Sequence, residues 1–358
     1  MKIVLIGNTD FCIYNYRFEL IKKLVELGHE VFVFSPLGKY VSSLVENGCV
    51  HKQIEIEQHG TNPFADLRLL KKLKNELRLI NPDYVFGYTI KPNIYGALAC
   101  KKLKINFIAN ITGLGPSVEN KGIIQLIAVS LYRFSFSSIQ TVFFQNSENK
   151  AFFEKKKIAL GKHKLLPGSG VNLQRFAYTP LHDGAVTRFV FISRIRQEKG
   201  IDEFIGAARF FQNNSSIEFH VCGPCDDGYK WICSEESIIY HGMIDHVENV
   251  LKDMDCLVFP TYYAEGLANV LLEACAMGRP IITTDRAGCR EVIDEGYNGF
   301  IVRPKDSEDL IGKISSFLNM SKSDREQMGK NGRIKMEKEF DRNIIIKRYL
   351  SEIGEVGD

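Results

Sequence analysis

A chain of 358 residues exceeds one ordinary core and fits two domains of roughly 150 to 200 residues each. With 45% hydrophobic and 25% charged residues, and only 29 Gly and 11 Pro, the composition excludes a disordered or fibrous chain and describes a packed globular one. The net charge of +3 conceals a split: residues 1–180 hold 24 Lys/Arg against 13 Asp/Glu, net +11, and residues 181–358 hold 22 against 30, net −8, so the first half is expected to face something anionic.

Met1-Lys2 leads into the apolar run Ile3-Val4-Leu5-Ile6, which Asn8, Thr9 and Asp10 break before any cleavage-site pattern. No secretory signal is read there, and the protein is expected to stay in the cytoplasm. The run is too continuous for a strand with one wet face and predicts a strand of a parallel sheet, covered on both sides. Helical spacing over residues 16–27, the stop at Gly28 and a second apolar strand over 31–34 complete a βαβ unit. Residues 67–80 alternate apolar and basic positions at helical spacing, predicting a helix packed on its own sheet with a cationic outer face. The sharper, less favoured reading is that this face meets anionic lipid. Asn81-Pro82-Asp83 introduces a strand over 84–87, and strands over 105–110 and Thr141–Phe144 follow. Between Gly122 and Ser147 only Arg133 is charged, but Gln125, Ser130, Ser135 and further polar residues interrupt the segment, so a buried helix and then a buried strand are expected instead of a membrane span. A second basic cluster, Lys155-Lys156-Lys157 with Lys162 and Lys164, closes this half.

After a Pro- and Gly-bearing stretch at 167–170 and Thr179-Pro180, the strand and helix alternation restarts. Strands are expected at 188–192, 217–221, Cys256–Phe259 and 280–283, and helices at 202–211 and 266–276. Both halves therefore read as doubly wound α/β domains, residues 1–168 and 169–358, with the last helix able to pack back on the first domain. The nine cysteines are scattered and expected to be reduced. Cys222-Gly-Pro-Cys225 has the spacing of a redox or zinc motif, but Asp226-Asp227-Gly228 follows instead of a helix and no second CxxC exists, so it reads as a turn after a strand.

Chemistry concentrates in two phrases of the second half. Glu265-Gly266-Leu267-Ala268-Asn269-Val270-Leu271-Leu272-Glu273 follows a strand and is expected to open a helix at the carboxyl edge of a parallel sheet, where such sheets bind ligands. Free amides over Gly266, Leu267, Ala268 and Asn269 would suit a diphosphate. On one helix, Glu265 and Glu273 would lie about 12 Å apart along the axis and could touch two parts of an extended ligand. The second phrase, Arg194-Ile-Arg196-Gln-Glu-Lys199-Gly200, follows the first strand of that domain; Arg194 and Lys199 make a natural diphosphate clamp able to stabilise a leaving group.

Together these phrases resemble the retaining GT4 glycosyltransferases, whose carboxyl-terminal domain carries E-x7-E and an Arg-x4-Lys pair. The likeness extends to Gly170-Val171-Asn172, Gly242-Met243, Glu291 and Asn298-Gly299-Phe300. It implies the GT-B fold, two Rossmann-like doubly wound parallel-sheet domains facing a cleft. It also implies that Arg194 and Lys199 bind the diphosphate of a UDP-sugar, that Glu265 and the amides after it hold the sugar, that Glu273 binds ribose, and that Gly242 and Met243 border the base. No cofactor is implied and no metal is expected, since the two cations can replace it and no Asp-x-Asp motif stands in a suitable loop. No protein nucleophile is assigned.

The first-half loops resemble those of bacterial enzymes that build lipid-linked surface polysaccharide. Asn8, Arg17, Lys91 and Thr112, each after or just beyond an expected strand, become candidates to meet the acceptor's sugar or phosphate. Ile90 stands where some relatives carry a His, which removes that contact. The implied activity is transfer of a hexose or N-acetylhexosamine to a polyprenyl-diphosphate-linked saccharide by a protein held peripherally on the inner face of the cytoplasmic membrane. The alternatives are a GT-B-like nucleotide-sugar epimerase or a non-catalytic nucleotide-sugar-binding partner. An NAD enzyme lacks its glycine fingerprint after the first strand, and no nucleic-acid module is present.

Overall fold

The computed structural model describes residues 1–57, 62–119 and 122–355. The chain forms two compact units, Met1–Ser169 with Asn343–Asp358, and Gly170–Arg342.

In the first unit the order is β1 (Lys2–Ile6), α1 (Asp10–Glu26), β2 (Glu30–Ser35), α2 (Val41–Glu46), β3 (Val50–Gln53), α3 (Pro63–Ile80), β4 (Tyr84–Tyr88), α4 (Ile90–Leu103), β5 (Asn106–Ile111), α5 (Pro116–Glu119), α6 (Ile123–Ser135), β6 (Thr141–Phe144), α7 (Ser147–Lys155) and β7 (His163–Leu165). Among the described residues the sheet is parallel, in the order β3-β2-β1-β4-β5-β6-β7. Ile3, Val4, Leu5 and Ile6 are fully buried because crossover helices cover both faces. One core joins Leu69, Leu73 and Leu77 of α3, Ile94 and Ala97 of α4, and Ala128, Val129 and Tyr132 of α6. On the other face, Ile13, Leu20 and Leu24 of α1 pack with Ile345 and Tyr349 near the chain end.

Two elements depart from expectation. Helix α1 starts at Asp10 rather than at residue 16, because Thr9 caps it by accepting from the Cys12 amide at 3.0 Å. Helix α6 is not buried. It is apolar almost all round, and the face of Ala128, Val129, Tyr132 and Ser135 is buried, the first three in the core, which leaves Ile123, Ile124, Leu126 and Ile127 between 56% and 76% exposed. Helix α3 follows its pattern: Asn62 caps it, Asn81 ends it in the left-handed region, and Lys71 and Lys72 point to solvent.

The second unit runs β8 (Thr187–Ile192), α8 (Ile201–Phe211), β9 (Ile217–Cys222), β10 (Ile239–Tyr240), α9 (Val247–Leu251), β11 (Cys256–Phe259), α10 (Asn269–Ala276), β12 (Ile281–Thr284), β13 (Gly299–Val302), α11 (Ser307–Leu318) and α12 (Lys322–Lys335). Its parallel sheet has the order β10-β9-β8-β11-β12-β13. The unit ends at Arg342 rather than at the chain end. Helix α13 (Arg342–Glu352) is held in the first unit from Asn343 on: Tyr349 Oη donates to Asn110 Oδ1, Gln140 Nε2 to the Glu352 carbonyl at 2.8 Å, and Thr141 Oγ1 to the Glu352 carboxylate at 2.7 Å. All nine cysteines are free, and Cys225, just past the end of β9, forms an isolated bridge with Ile195. Among the described residues no helix is long and apolar enough to cross a membrane.

Candidate active site

In each sheet the strand order reverses at one place, between β1 and β4 and between β8 and β11, and the crevice at the carboxyl ends of such a pair is where open α/β sheets take ligands. The loops after β8 and β11 carry Arg194, Lys199 and Glu265. Two glycines allow close packing here, Gly200 between these two loops and Gly288 between the β11 loop and the segment after β12. Gly200, at φ +82°, leaves no room for a Cβ against the Pro260 carbonyl, and the Tyr262 amide donates to Glu198 O at 3.0 Å. Gly288, at φ +85°, would place a Cβ 2.7 Å from Cβ of Glu265, and its amide donates to Glu291 at 2.8 Å.

The ammonium of Lys199 donates directly to Glu265 Oε1; their side chains are 9% and 15% exposed. It also lies 4.3 Å from the centre of the Tyr263 ring, whose electron-rich face favours the cation. Burial, then the Glu265 carboxylate, pushes the Tyr263 phenol up, while Arg194 and then Arg196 pull it down, so Tyr263, with Lys199 over its ring, sits among the charged groups of both loops. Arg194 is exposed, and among the described residues no hydrogen bond or ion pair engages its guanidinium. Arg196 is instead held by Asp226 at 2.8 Å and Glu198 at 3.4 Å. The structure thus leaves one cation open and sets a second on a carboxylate.

Helix α10 begins at Asn269, not at Gly266. Gly266, Leu267 and Ala268 form the approach to it. Ala268 is extended, with φ −76° and ψ 101°, and its amide is taken by Gly288 O at 2.9 Å, so the expected row of free amides is shorter. Because Glu265 precedes the helix, a helical rise does not describe its separation from Glu273. The Asn269 side-chain Oδ1 is buried at the helix start with no hydrogen-bond partner among the described residues. Glu273, in the second turn, is half-buried, and its carboxylate accepts no hydrogen bond among the described residues. Burial pushes it up from 4.5 to about 7, against the pull of Arg342 and Arg175. Gly242, at φ +69°, accepts from the Gly223 amide at 2.7 Å, and Gly223 packs on the Ser193 carbonyl, which brings the Gly242 turn to the Arg194 side of the crevice; Met243 is exposed. Among the described residues no group of three or more His, Cys, Asp and Glu is placed to hold a metal.

In the first unit Asn8 is half-buried in the turn after β1, and Thr112 is half-buried directly after β5. Arg17 lies in the second turn of α1 rather than at its start. It is 3% exposed, with its guanidinium 4.4 Å from the centre of the Tyr88 ring and donating to Tyr16 O at 2.9 Å. Lys91 belongs to the first turn of α4 instead of a loop, and it donates to Asp66 at 2.8 Å, while Tyr95 Oη donates to the other carboxylate oxygen at 2.8 Å. Lys91 and Asp66 line a cavity of about 810 Å³ beside α3 whose wall carries both signs, including Lys52, Arg68 and Glu76.

Reading the sequence missed Tyr263, Gly288, and Arg175 and Arg342 around Glu273. An aromatic residue two positions before Glu265 is a local hint; Arg342 lies too far along the chain to give one.

Residues 2–146 match the family model described as Glycosyl transferase 4-like, and residues 186–320 match Glycosyl transferases group 1. The chain belongs to the GT4-type glycosyltransferases and has their GT-B fold of two Rossmann-like domains. Among curated relatives it is 28% identical to the N,N′-diacetylbacillosaminyl-diphospho-undecaprenol alpha-1,3-N-acetylgalactosaminyltransferase of Campylobacter jejuni, over 98% of this chain and 97% of the relative. Over 43% of this chain and 42% of the relative, it is 30% identical to the capsular polysaccharide biosynthesis glycosyltransferase CapM of Staphylococcus aureus. Among solved structures, sucrose-phosphate synthase of Thermosynechococcus elongatus superposes with a TM-score of 0.84 at 16% identity, covering 99% of this chain and 98% of that one. HepE of Anabaena, in complex with UDP and glucose, gives 0.80 at 15% identity over 99% of each. Both structures share the fold.

Proposed function

We propose that this glycosyltransferase moves a hexose or N-acetylhexosamine from a UDP-sugar to a polyprenyl-diphosphate-linked saccharide during surface polysaccharide or glycan assembly, with retention at the anomeric carbon and without a metal ion. The observation that carries this reading is the Lys199–Glu265 pair at the switch crevice, with the open Arg194 near the same Tyr263. The donor diphosphate takes Arg194 and draws Lys199 from Glu265. Glu265, with Gly266, Leu267, Ala268 and Asn269, then receives the sugar, Glu273 accepts the ribose hydroxyls, and Gly242 and Met243 border the base. The bond from the anomeric carbon to the UDP oxygen breaks as the bond to an acceptor hydroxyl oxygen forms. The acceptor's hydroxyl proton passes to the departing diphosphate oxygen, and the remaining charge growing on the diphosphate is met by the two cations. Asn8, Arg17, Lys91 and Thr112 serve the acceptor.

A lipid-linked acceptor is supported by the printed activity of the Campylobacter relative, and a UDP donor by the ligands of HepE. The net +11 of residues 1–180 suits attachment to the inner face of the cytoplasmic membrane. The experiment is to incubate the protein with a panel of UDP-sugars and synthetic prenyl-diphosphate saccharides in the presence of EDTA, and to read the linkage by NMR. Transfer with the donor's own anomeric configuration is expected. An inverted product, or activity only after manganese is added, would refute the corresponding part.

A further inference from the structure

Helix α6 poses a problem that the reaction does not solve. Ile123, Ile124, Leu126 and Ile127 form an exposed aliphatic face over its first turns, whereas a surface helix ordinarily turns such residues inward. The helix carries no acidic residue, and its one charge, Arg133, lies near the carboxyl end. There Arg133 donates to the Lys156 carbonyl at 2.6 Å, and the Lys101 ammonium lies 4.2 Å from the centre of the exposed Phe134 ring. One end is thus aliphatic, and the other carries Arg133 with the Lys101 ammonium beside Phe134. At 13 residues the helix is about 20 Å long, too short for a hydrocarbon layer of about 30 Å, so it can lie in a membrane surface but not cross it. It follows β5, so its first turns stand at the carboxyl edge of the sheet that also carries Asn8, Lys91 and Thr112.

From this arrangement we propose that α6 is a membrane-docking element: Ile123, Ile124, Leu126 and Ile127 enter the headgroup and acyl boundary of an anionic bilayer while Lys101 and Arg133 meet its phosphates. This deepens the reading of a lipid-linked acceptor and rests on it, because docking through α6 holds the acceptor edge of the first unit at the surface where a polyprenyl diphosphate emerges. It also adds an apolar component to attachment, which salt does not screen.

The full-length chain is tested by cosedimentation with vesicles of phosphatidylethanolamine and phosphatidylglycerol at low and high salt. Replacing Ile123, Leu126 and Ile127 together by Ser should lower the partition coefficient at least about tenfold, including the part that survives high salt. Transfer to a short water-soluble acceptor should be unchanged. A second variant reads insertion directly: Leu126→Trp, in a Trp231→Phe background, should shift to the blue on vesicle addition and be quenched by brominated lipid. Undiminished binding of the triple variant without a shift in the Trp variant overturns the proposal. So does a wild-type dimer that the triple variant dissociates with no loss of vesicle binding. Vesicle binding is read without transfer, so a chain that docks through α6 yet transfers no sugar would refute the proposed reaction and leave the docking surface supported.

Discussion

Glu273 should weaken the unliganded fold that contains it. Burial holds its carboxyl up, from 4.5 to about 7, so between those values the folded chain keeps a proton that the unfolded chain has released, and stability falls as pH rises through that window. A shift of this size corresponds to about 3 kcal/mol at pH 8 and about 1 kcal/mol at pH 5, as upper values for a side chain that keeps some exposure. Glu273→Gln keeps the shape and removes the charge. For a unit the size of Gly170–Arg342, it should raise the melting temperature at pH 8 by up to about 6 to 12 °C, with a much smaller gain at pH 5. Calorimetric scans of both proteins at the two pH values give the difference free of every other titrating group. The variant should also bind UDP more weakly, by about 1.5 to 3 kcal/mol for hydrogen bonds to a charged acceptor. An equal or lower melting temperature for the variant at pH 8, or a gain that does not depend on pH, would refute the reasoning.

Other outcomes follow from the same geometry. Arg194→Ala and Lys199→Ala should each slow turnover by at least about tenfold, or about 1.4 kcal/mol of transition-state stabilisation, and initial rates at saturating donor would free either residue of the role if they matched wild type. Turnover should persist in excess EDTA; complete loss restored by manganese would contradict that. Neutralising Lys71, Lys72 and Lys74 together should weaken binding to anionic vesicles by up to about 3 kcal/mol at low salt and by little at high salt, since the Debye length shrinks to about 3 Å at 1 M. Equal binding of the variant across a salt series would leave those charges as a solvated face.

The alternation of apolar runs with helical spacing carried the fold, because a buried parallel strand such as Ile3-Val4-Leu5-Ile6 has no wet face to disguise it. The spacing of Arg194, Lys199 and Glu265 was equally legible, since each follows a recognisable strand. What escaped depends on partners distant in sequence. Nothing near Ala268 says that Gly288 will take its amide and delay α10, and nothing near Lys91 says that Asp66 will hold it. The start of α1 was lost because the Thr9 cap lies among polar residues that read as a turn. Helix α6 misled because an apolar composition reports neither how many faces a helix buries nor what the rest are for.

The most direct test of the central claim is a transfer assay with a labelled UDP-sugar panel, run with and without a prenyl-diphosphate-linked saccharide and comparing wild type with Lys199→Ala. The account predicts label on the lipid-linked product only when that acceptor is present, and at least about tenfold slower appearance with the variant. Isomerised donor in the absence of acceptor, or no transfer from any UDP-sugar, would contradict it.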